Sequence, residues 1–495
     1  MPESLSVLQR TATAAGWVIG WRVATRLLGL VSTLILVRLL VPADFGLVAL
    51  GASFAQAIEG FSWIGVEEAL IREKTLTREA YDTGFTLTIL RSTISGAAVL
   101  ALAWPAGDFF NEPRMTGILI ALAISTAMDG FINIGTVDFR RDFAFDKEFR
   151  LWILPRLASM AATLTVAAVF HSYWALISGI LLQRVLRVYF SYRMHPYRPG
   201  LSLRAWRQLL GYSMWSWGVS VLVLLRERCD SIVIGRLLDP TRVGIYTIAA
   251  EIAALPTSEL VQPLCRAAFT GFATEQNAEL NPGATYLRLI ATATLLTLPA
   301  AVGISLVAPL VVAVAFGPLW VEAGPLIAML ALAGSMTVIG NISSTLLQAR
   351  GLMRATLQIE LAVLLTRIVL LVIFVDRYGL WGAAVAAAVA ISAEQGIYAV
   401  MTFRRFRVRL SQLVGAVWRS AAATGAMTGV LLWSGFGLPE HGEQPVLMLL
   451  TASAVGATVY GVTLLGLWWL GGLVDGAESD VMALGRRMLG RRRAT

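Results

Sequence analysis

Only two of the 495 residues are cysteine, Cys229 and Cys265. They supply neither a disulfide framework nor a metal-ligand spacing. Three histidines, His171, His195 and His441, are scattered along the chain, so His-based metal or triad chemistry is not suggested. No G-x-x-x-x-G-K-[ST] occurs, so the chain carries no nucleotide-driven motor of its own. Charged residues make up 14%, against about 25% in soluble domains, which excludes a water-soluble globule. Large loops are missing too. The longest before the tail is expected from Pro263 to Tyr286, too short for a catalytic domain, and an enzyme is not expected. The first apolar run is long, carries Arg22 and Arg26 and has no small-residue cleavage site, unlike a secretory signal.

What the chain has is apolar length: 57% hydrophobic residues and a mean hydropathy of +0.70. A bilayer core about 30 Å thick needs about 20 apolar residues per helix. Spans are expected near 14–37, 43–66, 82–104, 115–137, 150–170, 173–192, 211–235, 242–262, 287–312, 323–347, 357–375, 380–402, 415–434 and 446–470. The fold class is therefore an all-α polytopic membrane protein of about 14 helices. The formal charge of +9 fits membrane lipids of an anionic inner leaflet as partner rather than nucleic acid.

One stretch is written twice. Arg38-Leu39-Leu40-Val41-Pro42-Ala43-Asp44-Phe45-Gly46 returns as Arg236-Leu237-Leu238-Asp239-Pro240-Thr241-Arg242-Val243-Gly244. Proline cannot continue a helix interior and pushes the preceding residue out of the α region, so each copy reads as a tight turn between helices. The duplication implies two six-helix lobes related by a pseudo-two-fold repeat, residues 1–208 and 209–413. Two appended helices and a basic tail, 414–495, follow. Met194 to Gly211 is the linker between lobes. Phe109-Phe110-Asn111-Glu112-Pro113 and Ala315-Phe316-Gly317-Pro318 each close the third helix of a lobe.

With the N-terminus placed inside, 25 of the 40 Lys and Arg fall in inner loops and ends, 5 in outer loops and 10 within helices. This asymmetry predicts a cytoplasmic location for both termini. Trp104, Trp174, Trp320, Trp381 and Trp433 fall near outer ends, as an interfacial aromatic belt would.

The duplicated turn resembles that of Wzx-type flippases, the polysaccharide-transport family of the multidrug/oligosaccharidyl-lipid/polysaccharide (MOP) exporter superfamily, with a MATE/MOP-like fold. So do Ile232-Val233-Ile234-Gly235, Arg141-Asp142-Phe143-Ala144-Phe145 and Phe316-Gly317-Pro318-Leu319-Trp320. The resemblance runs in order from Gly16 to about Phe406. It implies a bacterial inner-membrane, multi-pass exporter. Such a protein moves a lipid-linked oligosaccharide on undecaprenyl diphosphate from the cytoplasmic to the periplasmic leaflet. It works by alternating access, for exopolysaccharide, capsule, O-antigen or lipopolysaccharide synthesis beside a polymerase and a chain-length regulator. The drug-exporting relatives share this fold, so an ion-coupled small-molecule antiporter is the alternative. A non-transporting scaffold or a membrane-embedded glycan polymerase is the reading from another class.

A charge at the centre of a membrane helix costs about 2.5–3.5 kcal/mol, so Arg22, Arg26, Arg91, Arg226, Arg228 and Arg367 are the candidates for a cationic cavity. Arginine offers planar, bidentate hydrogen bonding and keeps its proton, which suits a diphosphate. Arg22 and Arg26 share a helix face, and two uses compete for them: lining the cavity, or tying helices to Glu59 or Asp129. Arg226 and Asp230, four apart, either neutralise each other or serve the site. Arg156, Arg184, Arg187 and Arg419 read as snorkelling from inner ends, and Glu360 as solvated. No cofactor is expected. H⁺ or Na⁺ coupling would run through a buried acid, with Asp129, Glu394 and Glu59 as candidates.

Overall fold

The computed structural model describes residues 20, 24–62, 65–72, 77–142, 144–206, 214–274, 282–435, 444–472, 476–480 and 482. Within the described residues every predicted span coincides with a helix or a broken helix; most of 14–23 in the first span and 211–213 in the seventh lie outside them. In the first unit these are α1 (24–39), α2 (Pro42–Phe61), α3 (Arg78–Ala101), α4 (Arg114–Asp129), α5 (Phe145–Phe170), α6 (Trp174–Met194) and α7 (Met214–Leu237). Then follow α8 (Pro240–Ala253), α9 (Gln262–Thr274), α10 (Pro282–Val311), α11 (Ala323–Ser335), α12 (Thr337–Ala349), α13 (Met353–Phe406), α14 (Leu410–Trp433) and α15 (Pro445–Leu470). The chain divides into two compact units, Met1–Gly244 and Ile245–Thr495.

Among the described residues five helices are long and apolar enough to cross a membrane, or up to seven if each of two bent pairs is one span. The chain is a multi-pass membrane protein. α7 is not among the five, because Arg226, Glu227, Arg228 and Asp230 interrupt its middle. α13 contains two predicted spans, parted where Gly379 takes φ 59°. Only glycine adopts that conformation at low cost.

In the first unit the two copies of the repeated turn meet. Pro42 and Pro240 each occupy the first position of a helix, α2 and α8, where the missing N–H costs nothing. A Cβ on Gly46 would overlap the Pro240 carbonyl, and one on Gly244 would overlap the Pro42 carbonyl. The shared glycine of the motif is thus a reciprocal contact, each copy admitting the other's backbone.

The chain leaving α6 is strapped along the start of α3. Gly200 N–H donates to Asp82 Oδ1 at 2.6 Å, Ser202 N–H to Thr86 Oγ1 at 2.9 Å and Ala205 N–H to Thr83 Oγ1 at 3.2 Å. Tyr197 donates its hydroxyl to Asp82 at 2.7 Å. His195 accepts the Tyr197 N–H on Nδ1 at 3.2 Å and faces Asp138 with Nε2 at 3.3 Å. This assigns the neutral tautomer with the proton on Nε2.

The second unit corrects three expectations. The segment from Pro263 is not a loop: Gln262–Thr274 is helix α9, and Ala268 and Phe272 on its apolar face are buried with Val261 and Tyr286. Trp320 belongs to no interfacial belt, being fully buried just after the left-handed Gly317. Trp104, Trp174, Trp381 and Trp433 are exposed as expected. Glu360 is not solvated but buried, accepting the Tyr398 hydroxyl at 2.7 Å.

Gly46→Ala and Gly244→Ala should each cost roughly 1–3 kcal/mol of stability, as forced overpacking typically does, and so lower the melting temperature in detergent. Gly415→Ala, where a Cβ meets open space, should leave it unchanged. Burial holds His195 below its ordinary pKa, against the pull of Asp138. On acidification the unfolded chain therefore takes up the proton first, at about pH 6.5. Strap stability should be complete at neutral pH and fall as the pH drops below that value. Faster proteolysis between residues 196 and 206 at pH 5 than at pH 7.5 would be the readout.

A candidate anion site in the first unit

The site is built by pairs of polar residues three or four apart, each pair on one face of its helix. α2 supplies Glu59, with Ser62 just past its end. α3 supplies Arg91 and Ser95, α4 Thr126 and Asp129, and α6 Arg184 and Arg187. Glycines bring α3 and α4 together: a Cβ on Gly96 would sit 2.8 Å from the Ala123 carbonyl, and one on Gly130 2.9 Å from the Ile89 Cα. A third contact seats Gly60 of α2 against Leu224 of α7.

The approach leaves a cavity of about 190 Å³ lined by Gln56, Glu59, Ser62, Arg91, Ser92, Ser95, Thr126, Asp129 and Leu224. Ser62 and Ser95 hydroxyls lie 2.7 Å apart, and Thr126 donates to the Glu59 carboxylate. Asp129 is the hub. Arg184 donates to its Oδ1, Arg187 stands at 3.9 Å and Arg91 at 4.0 Å. Asp129 is the last residue of α4, where the helix dipole disfavours an anion, so these cations are what make the position tenable. The Arg187 guanidinium also lies 3.6 Å from the centroid of the Trp152 ring on α5, a cation–π contact that fixes its plane. With three guanidiniums against Asp129 and Glu59, the cluster keeps a positive excess.

Three sequence-derived candidates, Arg91, Asp129 and Glu59, come together here. Arg26 on α1 and Arg226 and Arg228 on α7 are half-buried in the same unit but do not line this cavity. Arg22 lies outside the described residues. Arg367 and Glu394 belong to the second unit, Arg367 half-buried and Glu394 buried. Arg184 and Arg187 do not snorkel but turn onto Asp129, and Arg156 reaches toward Gly29 of α1, 2.9 Å from where a Cβ would stand. Their three-residue spacing was the available signal, masked by nearness to the helix end.

Helix order and apolar length define an all-α, multi-pass membrane protein. The fold is similar to that of the lipid II flippase MurJ in an inward closed conformation (TM-score 0.71, 14% identity, 91% of this chain and 99% of that one). It is also similar to an inward-facing multidrug resistance MATE family transporter of the MOP superfamily (TM-score 0.63, 16% identity, 76% and 93%). The chain belongs to the family of polysaccharide biosynthesis proteins, whose model matches residues 35–325. Among curated relatives are the lipopolysaccharide biosynthesis protein WzxC of Escherichia coli (strain K12), 24% identical over 70% of this chain and 71% of that protein. The amylovoran biosynthesis protein AmsL of Erwinia amylovora is 22% identical over 57% and 74%.

Asp129→Asn should leave three half-buried, mutually repelling cations without their counter-charge, a loss of about 1.5–3 kcal/mol, the size of a hydrogen bond to a charged group. Adding Arg184→Gln should restore part of it. A double-mutant cycle on thermal melting reads the coupling; simple additivity would show that the hub is not a unit.

Proposed function

We propose that the protein is a flippase for a lipid-linked oligosaccharide carried on undecaprenyl diphosphate. It moves this substrate from the cytoplasmic to the periplasmic leaflet of a bacterial inner membrane by alternating access. Family membership, the MOP-type fold and the biosynthetic names of its relatives support the substrate class. The lysine and arginine asymmetry supports cytoplasmic termini. The lipid-linked product would feed lipopolysaccharide or exopolysaccharide assembly beside a polymerase and a chain-length regulator.

The observation that carries the reading is the three-arginine hub on Asp129. A diphosphate presents planar sets of oxygens that arginine forks bind bidentately. It takes the place of Asp129 as counter-ion, and on release Asp129 recovers the guanidiniums. Exchange between two anions keeps the arginines satisfied at both stages, so the head is held without being trapped. The neighbouring hydroxyls of Ser62, Ser92, Ser95 and Thr126 are suited to the first sugar. Ion coupling falls to the acids of the second unit, Glu394 and the newly located Glu360, both buried on α13; a bound H⁺ or Na⁺ would neutralise one of them.

A strain lacking the gene should accumulate undecaprenyl-linked sugar on the cytoplasmic side. The intact chain should clear it, and Arg184→Ala with Arg187→Ala should not, at unchanged membrane insertion. Clearance by that variant would remove the cluster from the pathway.

A further inference from the structure

The second unit holds another arginine-lined cavity that flipping does not use. α14 begins directly after the basic run Arg404 to Arg409, and Arg419 lies inside it, facing α10 and the segment that follows α15. Arg419 donates to Glu478 Oε1 at 3.2 Å. Arg288 of α10 grips both oxygens of Asp480, Nε to Oδ2 at 2.5 Å and Nη2 to Oδ1. The acids come from the short segment 476–480, seated by Ala477, which is buried with Ala291, Leu295, Ala423 and Leu464. With both pairs made, about 310 Å³ stays open between Arg288, Arg419, Gly415 and Gly476.

We propose that this cavity binds the phosphodiester headgroup of an anionic phospholipid, for which Glu478 and Asp480 are the chain's own competing stand-ins. Four observations converge. Two arginines line one cavity, the residue type whose planar fork matches phosphate oxygens. Arg419 Nε is buried with no hydrogen-bond partner among the described residues. At Gly415 a Cβ would meet nothing within 4 Å, so a headgroup reaches the backbone unhindered. Beside it Leu410, Val414 and Trp418 are exposed on α14, the apolar flank that acyl chains of the inner leaflet require. The Arg288–Asp480 pair is mostly exposed, its arginine side chain 60% accessible. Solvent and salt screen an exposed pair even when it is bidentate, so it is the first to be exchanged. The Arg419–Glu478 pair is better shielded and yields second.

The test uses the full chain, stripped of lipid in detergent and titrated with phosphatidylglycerol, phosphatidylcholine or inorganic phosphate, with retained lipid counted by native mass spectrometry. Phosphatidylglycerol should be held and phosphatidylcholine not. Arg288→Ala with Arg419→Ala should weaken retention on the order of tenfold, the size expected from two basic contacts. Glu478→Gln with Asp480→Asn should strengthen it several-fold, and this variant carries the test alone should the arginine variant fail to insert. Equal retention by the wild type and either variant overturns the proposal. So does displacement of the lipid by equimolar inorganic phosphate, which would make this a site for free anions.

Discussion

Close approach of helix backbones at glycine is the constraint on which the first unit depends. In a bilayer, apolar side chains gain no hydrophobic free energy by exchanging lipid tails for a neighbouring helix, so association rests on packing and on hydrogen bonds between helices. Gly46 and Gly244 let the two copies of the repeated turn interlock, Gly96 and Gly130 let α3 and α4 touch, and Gly60 receives Leu224. Several polar residues of the site are short: Ser62, Ser92, Ser95, Thr126 and Asp129. They reach each other only because the helices carrying them are this near. Packing and chemistry share one cause.

The second consequence is electrostatic. Arg91, Arg184 and Arg187 would each be expensive in hydrocarbon, and Asp129 doubly so at the end of its helix. Collected around one carboxylate, each answers another's field. Trp152 adds a polarisable face to a guanidinium that is short of donors' partners at its Nε. The arrangement is stable only as a set, and this also makes it responsive: any anion able to replace Asp129 meets three cations already oriented.

Much of the fold was legible. The fourteen apolar runs, the turns at Pro42 and Pro240 and the break between the eleventh and twelfth spans are all local features, written in residue type and spacing. The misses share a physical origin. α9 carries Gln262, Arg266 and a proline at its start, and its apolar residues form a stripe (Leu264, Ala268, Phe272) rather than a continuous run, so a search for unbroken apolar runs passes over it. Nearness to a helix end suggests an exposed Trp320 and Glu360, yet burial depends on what packs against a residue. Tyr398 for Glu360 is 38 residues away.

The site shows the same division. Glu59, Arg91 and Asp129 were singled out because charge inside an apolar run is costly wherever it faces. Arg184 and Arg187 carry the same cost but lie nearer a helix end, where snorkelling is a sufficient explanation. What sets the two apart is the partner, and Asp129 is 55 residues from Arg184. A sequence therefore shows which charges need an answer before it shows who gives it. The hydroxyl-bearing residues are harder still, because serine and threonine in a membrane helix ordinarily satisfy themselves on the preceding turn, as Ser92 does on Thr88 and Ile89. Ser62 keeps that habit, donating to the Glu59 carbonyl at 2.8 Å, and also meets the Ser95 hydroxyl at 2.7 Å; only the convergence of α2 and α3 makes that second contact visible.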